Sequence, residues 1–264
     1  MRDGVKGMFE TIEYEVKDHV SWVRLNRPDK LNAFTFKMNQ EVAEAIGKAT
    51  SDQEVRCIVV TGNGRAFCSG QDLNGVEEGI DHGEMLRTAY NPMVKQIVSS
   101  SKPIVAAVNG VAAGAGMSLA LACDFRLAHE RASFIEAFVH VGLVPDSGST
   151  YFLPRLVGHA KALELAMLGD KVSASEAKEL GLVNEIISNE QWEKGIVAFA
   201  NRLAALPPKA VGLIKQSFSK SFDNSLDQVL DMEANAQREA GRTNDHAEGV
   251  RAFAEKRKPV FQGS

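Results

Sequence analysis

Apolar and polar positions alternate from Thr11 to Val16 and again from Val20 to Leu25, with Lys17-Asp18-His19 between the two runs. A period of two broken by a short polar step predicts two strands joined as a hairpin. Asn26-Arg27-Pro28-Asp29-Lys30 ends the pattern. Met38, Val42, Ala45, Ile46 and Ala49 then fall at helical spacing and predict a helix over Phe36 to Ala49. Val55 to Thr61 predicts a third strand, closed by Gly62-Asn63-Gly64. Asp81 to Ser100 predicts a helix with an interruption at Pro92.

Ile104 to Val108 is a short run of β-branched and small apolar residues, the pattern of a strand covered on both faces. Gly110, Gly114 and Gly116 follow within seven residues, and Met117 to Ala122 are good helix formers. This predicts a buried strand, a glycine-rich turn, and a helix that begins inside the glycine run. Phe125 to Ala128 predicts another short strand. From His159 onward the pattern is nearly all helical: His159–Leu168, Ser173–Leu180, Glu190–Leu206, Lys209–Ser221, Ser225–Gly241 and Asp245–Lys256. Ser173 followed by Glu176 reads as a capping box. Strands interleaved with helices predict an α/β fold with layered sheets.

The glycine turn carries the first chemical suggestion. Free N–H groups at a helix start point back into such a turn and are donors for a developing anion. Gly64-Arg-Ala-Phe-Cys-Ser-Gly70-Gln71-Asp72-Leu73 is a second loop of small residues after a strand, and it offers another N–H near Gly70 or Gln71. Two such groups converging would form an oxyanion hole. The residues alone also leave open a plain packed strand–helix connection for the first loop and a surface loop for the second. A membrane span over Ile104 to Cys123 is opposed by Pro103, the three glycines, Asn109 and Asp124.

Composition narrows the class. The 264 residues are 44% hydrophobic and 24% charged, with a net charge of −4, which fits a globular chain and disfavours nucleic acid as a partner. Cys57, Cys68 and Cys123 show neither metal spacing nor a disulfide framework, and the first residues lack an apolar signal core. A cytoplasmic location is expected. His19, His82, His129, His159 and His246 form no ligand pattern, so no metal is expected.

Five motifs taken together carry a resemblance: Asn26-Arg27-Pro28 with Leu31-Asn32-Ala33, Gly64 to Leu73, Ala107 to Gly116, Gly142-Leu-Val-Pro-Asp146, and Ala174 to Val183. In this order and spacing they resemble the crotonase superfamily, the enoyl-CoA hydratase/isomerase enzymes, from about Ile12 to Phe261. The resemblance implies a spiral of ββα units over residues 1–200 and a C-terminal helical trimerisation region over 201–264. It implies homotrimers or hexamers, no membrane partner, and an acyl-CoA thioester as substrate with no cofactor beyond the CoA that the substrate carries. It places the oxyanion donors at the N–H groups of Gln71 and Ala115, beside Gly114. CoA is expected against Asp29, Lys30, Leu31 and Ala33 and against Ala66, Ser69, Asp72 and Leu73. Lys256, which otherwise reads as part of a solvated basic cluster, is expected to reach the CoA phosphates.

Departures from the family pattern select among its reactions. Hydratases of the family place two glutamates over the alkene, and here those positions hold Ser118 and Phe138. The acid that remains is Asp146, after Pro145, where the resemblance implies an isomerase base. Val144, Pro145, Phe138 and Tyr151 are expected to form an apolar setting that raises its pKa. Asp146 also reads as a helix N-cap before Ser147-Gly-Ser-Thr. Glu136 is the second acid in this stretch, with a structural role expected.

Tyr90-Asn91-Pro92, Gly142 to Arg155, and Ala240 to Val250 resemble the subfamily of ring-opening isomerases that act on an epoxide of phenylacetyl-CoA. This implies formation of an oxepin thioester and a related Δ3,Δ2 double-bond shift. The alternatives are a general enoyl-CoA isomerase or hydratase of fatty-acid degradation, and a non-catalytic acyl-CoA-binding protein. Ile80 to Met93 is expected to line the acyl pocket.

Overall fold

A computed structural model describes residues 9–74 and 79–264; the N-terminal stretch read for a signal lies outside the described residues. The hairpin forms as predicted: β1 (Ile12–Lys17) pairs antiparallel with β2 (Val20–Leu25), with Asp18 and His19 both at positive φ in the turn. α1 (Phe36–Ser51) follows, with the Thr35 side chain accepting from Met38 N. β3 (Cys57–Gly62) and β4 (Ala66–Cys68) come next.

α2 (His82–Met85), a π-type turn (Leu86–Tyr90) and α3 (Asn91–Ser99) then form one nearly continuous helical stretch. The expected interruption therefore falls upstream of Pro92. Pro92 itself sits in the first turn of α3, directly after the π-type turn, which is where the helical ladder adjusts to its missing N–H.

β5 (Ile104–Val108) leads to β6 (Val111–Ala113), a strand inside the segment read as a glycine turn, and then to α4 (Ala115–Ala122). β7 (Phe125–His129), β8 (Ser133–Ile135), a 3₁₀ turn (Ala137–Val141), α5 (Ser149–Val157) and α6 (His159–Leu168) follow. The last part is not wholly helical. β9 (Val172–Ser173) and β10 (Glu185–Ile187) flank α7 (Ala174–Glu179), whose predicted Ser173–Glu176 capping box is present. α8 (Trp192–Ala204), α9 (Pro208–Ser221), α10 (Leu226–Ala240) and α11 (Asn244–Ala254) complete the chain.

The strands make two sheets, a six-stranded one in the order β1-β2-β3-β5-β7-β10 and a four-stranded one in the order β4-β6-β8-β9. The chain steps from the large sheet to the small one and back: β3 to β4, β5 to β6, β7 to β8. Each pair is followed by helix, which is the ββα spiral. Alternation sorts the large sheet's side chains. Val23, Ile58, Val60, Ile104 and Ala106 face the main core, with Phe34, Met38, Phe67 and Phe134. Trp22, Val59, Val105 and Leu127 face the other way and are covered by Ile196, Phe199 and Leu203 of α8. Cys57, Cys68 and Cys123 are buried free thiols, each pushed up to about 12 by loss of water.

Candidate active site

Parallel pairing of β4 with β6 sets the loops after these two strands side by side. Glycines let them touch. At Gly70 a Cβ would lie 3.0 Å from Ala113 O and 3.7 Å from Ala115 N, and at the other end of the strand pair one on Gly110, just before β6, would lie 2.1 Å from Arg65 O, just before β4. Gly70 and Gly114 also adopt φ of +97° and +50°, which glycine reaches without the penalty a side chain brings.

Phe34 fixes the direction of the first donor. Its N–H donates to Gly70 O (2.7 Å), and its carbonyl accepts from Asp72 N (2.9 Å). In an extended segment successive N–H groups point to opposite sides, so the Gln71 N–H is turned away from Phe34. The second donor is Ala115 N–H. As the first residue of α4 it has no carbonyl within the helix to bond, and it lies at the positive end of the helix dipole. Gln71 and Ala115 line the same cavity, of about 210 Å³.

The far wall of that cavity is made by the 3₁₀ turn and the segment after it. Phe138, Val141, Leu143 and Val144 contribute apolar surface, as do Met85 and Leu86 from the helical stretch opposite. Asp146 projects into this wall. Its Oδ1 accepts from Ser147 Oγ at 2.8 Å. Loss of water raises its pKa above the ordinary aspartate range, while the Ser147 hydrogen bond and the charge of His82 oppose the rise.

Capping does not explain this residue. The cap of α5 is Gly148, with no side-chain cap bond, and Asp146 contributes only its backbone carbonyl, which accepts from Ser149 N. Tyr151, expected near Asp146, lies elsewhere: its ring is stacked by Arg155 at 3.5 Å and its hydroxyl bonds Asp223. The helical turn of α5 carries it away from the cavity.

Two backbone N–H groups and an aspartate on the lining of one largely apolar cavity are a set suited to proton transfer beside a carbonyl. The sequence profile described as "Enoyl-CoA hydratase/isomerase" matches residues 15–264. The chain belongs to that family. It is 42% identical over 261 residues to the 1,2-epoxyphenylacetyl-CoA isomerase of Escherichia coli (strain K12), covering 97% of this chain and 100% of that protein. It is 43% identical over 256 residues to a Rhodobacter capsulatus protein named "Probable enoyl-CoA hydratase", covering 97% and 99%. The crystal structure of an enoyl-CoA hydratase from Bacillus anthracis superposes with a TM-score of 0.91 at 32% identity, covering 97% of this chain and 100% of that one. The spiral of two sheets is thus the crotonase fold.

Family membership gives meaning to the remaining positions. Ser118 is fully buried in α4 and bonds back to Gly114 O at 3.3 Å, while Phe138 presents a ring to the cavity. Neither supplies a carboxyl group to this enoyl-CoA hydratase/isomerase chain. Ser69, Leu73 and Gly114 line the cavity with Gln71, Ala115, Phe138 and Asp146.

Of the expected CoA residues Ser69 and Leu73 line the cavity, and Asp29, Lys30, Leu31, Ala33, Ala66 and Asp72 do not, but the two segments lie beside one another. Asn32 is buried, and its amide donates to Asn63 O (2.9 Å) and Ala66 O (2.8 Å). Ser69 N donates to Leu31 O, and Arg27 bonds Ala33 O and ion-pairs Asp72 at 2.8 Å. The segment bearing Asp29, Lys30, Leu31 and Ala33 is therefore stitched to the one bearing Ala66, Ser69 and Asp72. The Arg27 hydrogen bond holds Asp72 below its ordinary pKa, so the Asp72 carboxylate serves to join the loops. Lys256 is exposed just beyond α11 at φ +55° and does not line the cavity.

Three residues of the site make contacts that no sequence signal announces. His82 lines the cavity and faces Asp146, although its neighbours in sequence give no hint of this. The Tyr90 hydroxyl donates to Gln71 Oε1 and so pins that side chain; the sequence marks Tyr90 as part of a subfamily motif and of the expected Ile80–Met93 lining, with no sign of this bond. Ser149 bonds Glu136 behind the wall. Of the expected Ile80–Met93 lining, His82, Met85, Leu86 and Tyr90 reach the cavity, whereas Met93 packs into the core.

Proposed function

We propose that this protein is an acyl-CoA isomerase in which Asp146 moves the proton and the N–H groups of Gln71 and Ala115 hold the thioester oxygen. The observation that carries this reading is Asp146 in the wall of the cavity those two residues line, with serine and phenylalanine at the hydratase glutamate positions. In a Δ3,Δ2 shift Asp146 takes a proton from C2. The electron pair moves onto the thioester oxygen as a dienolate, and the proton returns to C4. No atom is gained or lost. Fixed backbone dipoles meet the oxyanion where it develops and need no reorganisation.

For the natural substrate we propose an epoxide of phenylacetyl-CoA, isomerised to the oxepin thioester. The named activity of the Escherichia coli relative supports this, as does an apolar cavity with room for a ring. The CoA moiety would lie along the stitched segments Asp29–Ala33 and Ala66–Leu73, with Lys256 at its phosphates. We further propose a homotrimer or hexamer in the cytoplasm. Support for assembly comes from the exposed apolar residues Phe218, Phe222, Leu226 and Phe253 along α9 to α11. No helix among the described residues is long and apolar enough to cross a membrane.

The test is incubation with a short β,γ-enoyl-CoA, crotonyl-CoA and the epoxide of phenylacetyl-CoA, with products followed by mass and by chromatography against isomer standards. Isomers of unchanged mass from the first and third are expected. A gain of one water on crotonyl-CoA, with no isomerisation of the others, would overturn the proposal.

A further inference from the structure

Behind Asp146 lies a second carboxyl that the proposed reaction does not use. Glu136 follows β8 at the start of the 3₁₀ turn and is 1% exposed. Its Oε1 accepts from Ser149 Oγ at 2.7 Å. Its Oε2 is buried with no hydrogen-bond partner. Ser149 in turn donates its N–H to Asp146 O at 2.9 Å, so one residue at the start of α5 ties both acids into the same wall.

A buried carboxylate with an unpartnered oxygen is expensive, and the same group as a neutral acid is far less so. Burial pushes Glu136 up to about 7, the Ser149 hydrogen bond opposes this, and the charge of Asp146 adds to the rise. Asp146 faces different company: Ser147 on its own segment, His82 from α2, and Tyr90 from the π-type turn, whose hydroxyl it helps to keep protonated. His82 and Ser147 favour the charged form of Asp146, and no cation among the described residues acts on Glu136 in this way.

We infer that Glu136 is a positioning residue that remains a neutral acid behind Asp146, so that the pair carries one negative charge, on Asp146, before the C2 proton is taken and none while Asp146 holds it. This rests on Asp146 being the acid/base of the proposed reaction. Ionisation of Glu136 would place a second charge beside Asp146. Asp146 would then give its proton back to C4 less readily, and the dienolate, formed while Asp146 holds the proton, would face a negative Glu136. Turnover should therefore decline on the alkaline side as the second proton leaves.

Two measurements test this. The first compares the pH dependence of kcat for the wild type and Glu136→Gln, on whichever β,γ-enoyl-CoA the wild type isomerises. The wild type should lose about tenfold per pH unit above an apparent pKa near neutrality, as for a single ionisation. Glu136→Gln, which mimics the neutral acid, should keep the acid limb and lose the alkaline decline. Coincident profiles for the two proteins would overturn the inference. The second needs neither catalysis nor that variant. Carboxyl ¹³C NMR of glutamate-labelled protein should find Glu136 titrating near neutrality in the wild type and at lower pH in Asp146→Asn. A Glu136 titration in the ordinary glutamate range, or one unmoved by Asp146→Asn, overturns it. Full turnover by Asp146→Asn would instead refute the proposed reaction while leaving the coupling measured by NMR intact, so the two failures are distinguishable.

Discussion

Gly116 lies against the carbonyl of Cys68 so closely that a Cβ on it would come within 2.2 Å of that oxygen. This contact holds the first turn of α4 against the end of β4, and it is what brings Ala115 and Gln71 to one cavity. The opposing atoms are backbone, which cannot step aside. Gly116→Ala should therefore destabilise the protein by at least about 1–3 kcal/mol, the usual cost of overpacking, and lower turnover with it. Gly47→Ala in α1 is the contrasting case, because its Cβ would meet only the movable Gln96 amide at 3.2 Å. There the helix preference for alanine should give about 0.5–1 kcal/mol of stability. Thermal melts of both variants check the pair, and equal effects would contradict the close-approach reading.

Ala115→Pro removes one of the proposed oxyanion donors at a position where proline is tolerated, because Ala115 opens α4. The melting temperature should change little while kcat falls by about 10²–10³. A folded variant with full turnover would remove Ala115 N–H from the mechanism.

Crotonyl-CoA should be hydrated poorly, because Ser118 is locked to Gly114 O and Phe138 has no proton to give. Loss of the enoyl thioester absorbance measures this. Turnover within the usual range of roughly 1–10³ per second would contradict it.

Glu136 also makes stability depend on pH, with a definite sign. Its folded pKa of about 7 lies above the reference value of 4.5, so between these the folded state binds more protons than the unfolded state and stability falls as pH rises. Below that window the contribution is fully present, and above about 7 it is lost. Asp146, also raised by burial, acts in the same direction. Glu136→Gln should thus gain stability over the wild type on going from pH 5 to pH 8, by roughly 3 kcal/mol at most. Parallel denaturation curves across that range would show that Glu136 is not held as the acid.

Much of this fold was legible because the large sheet and the long helices follow simple periods. The ends of β2 and β5 coincide with the predicted Val20–Leu25 and Ile104–Val108. The small sheet was not legible. β4, β6, β8 and β9 are two or three residues long, too short for alternation to register, and β6 is hidden between glycines. The two glycine-bearing loops could be read because a glycine run is a local signal. Asp146 was reached through the family resemblance, since its own neighbours also spell a helix cap. His82 and Tyr90 come from a helical stretch some sixty residues earlier and meet Asp146 only through packing. The state of Glu136 depends on burial, which no residue near it in sequence announces.

Asp146 itself provides the most direct test. Asp146→Asn keeps the side chain's size and its bond from Ser147 but cannot take a proton, and Asp146→Ala removes both. Because Asp146 caps no helix, both variants should melt close to the wild type. Isomerisation of a β,γ-enoyl-CoA, measured on folded protein, should fall by about 10²–10⁴ in each, the range for loss of a general acid/base. Retention of most of the wild-type rate by Asp146→Asn would contradict the assignment and move the base elsewhere in the cavity.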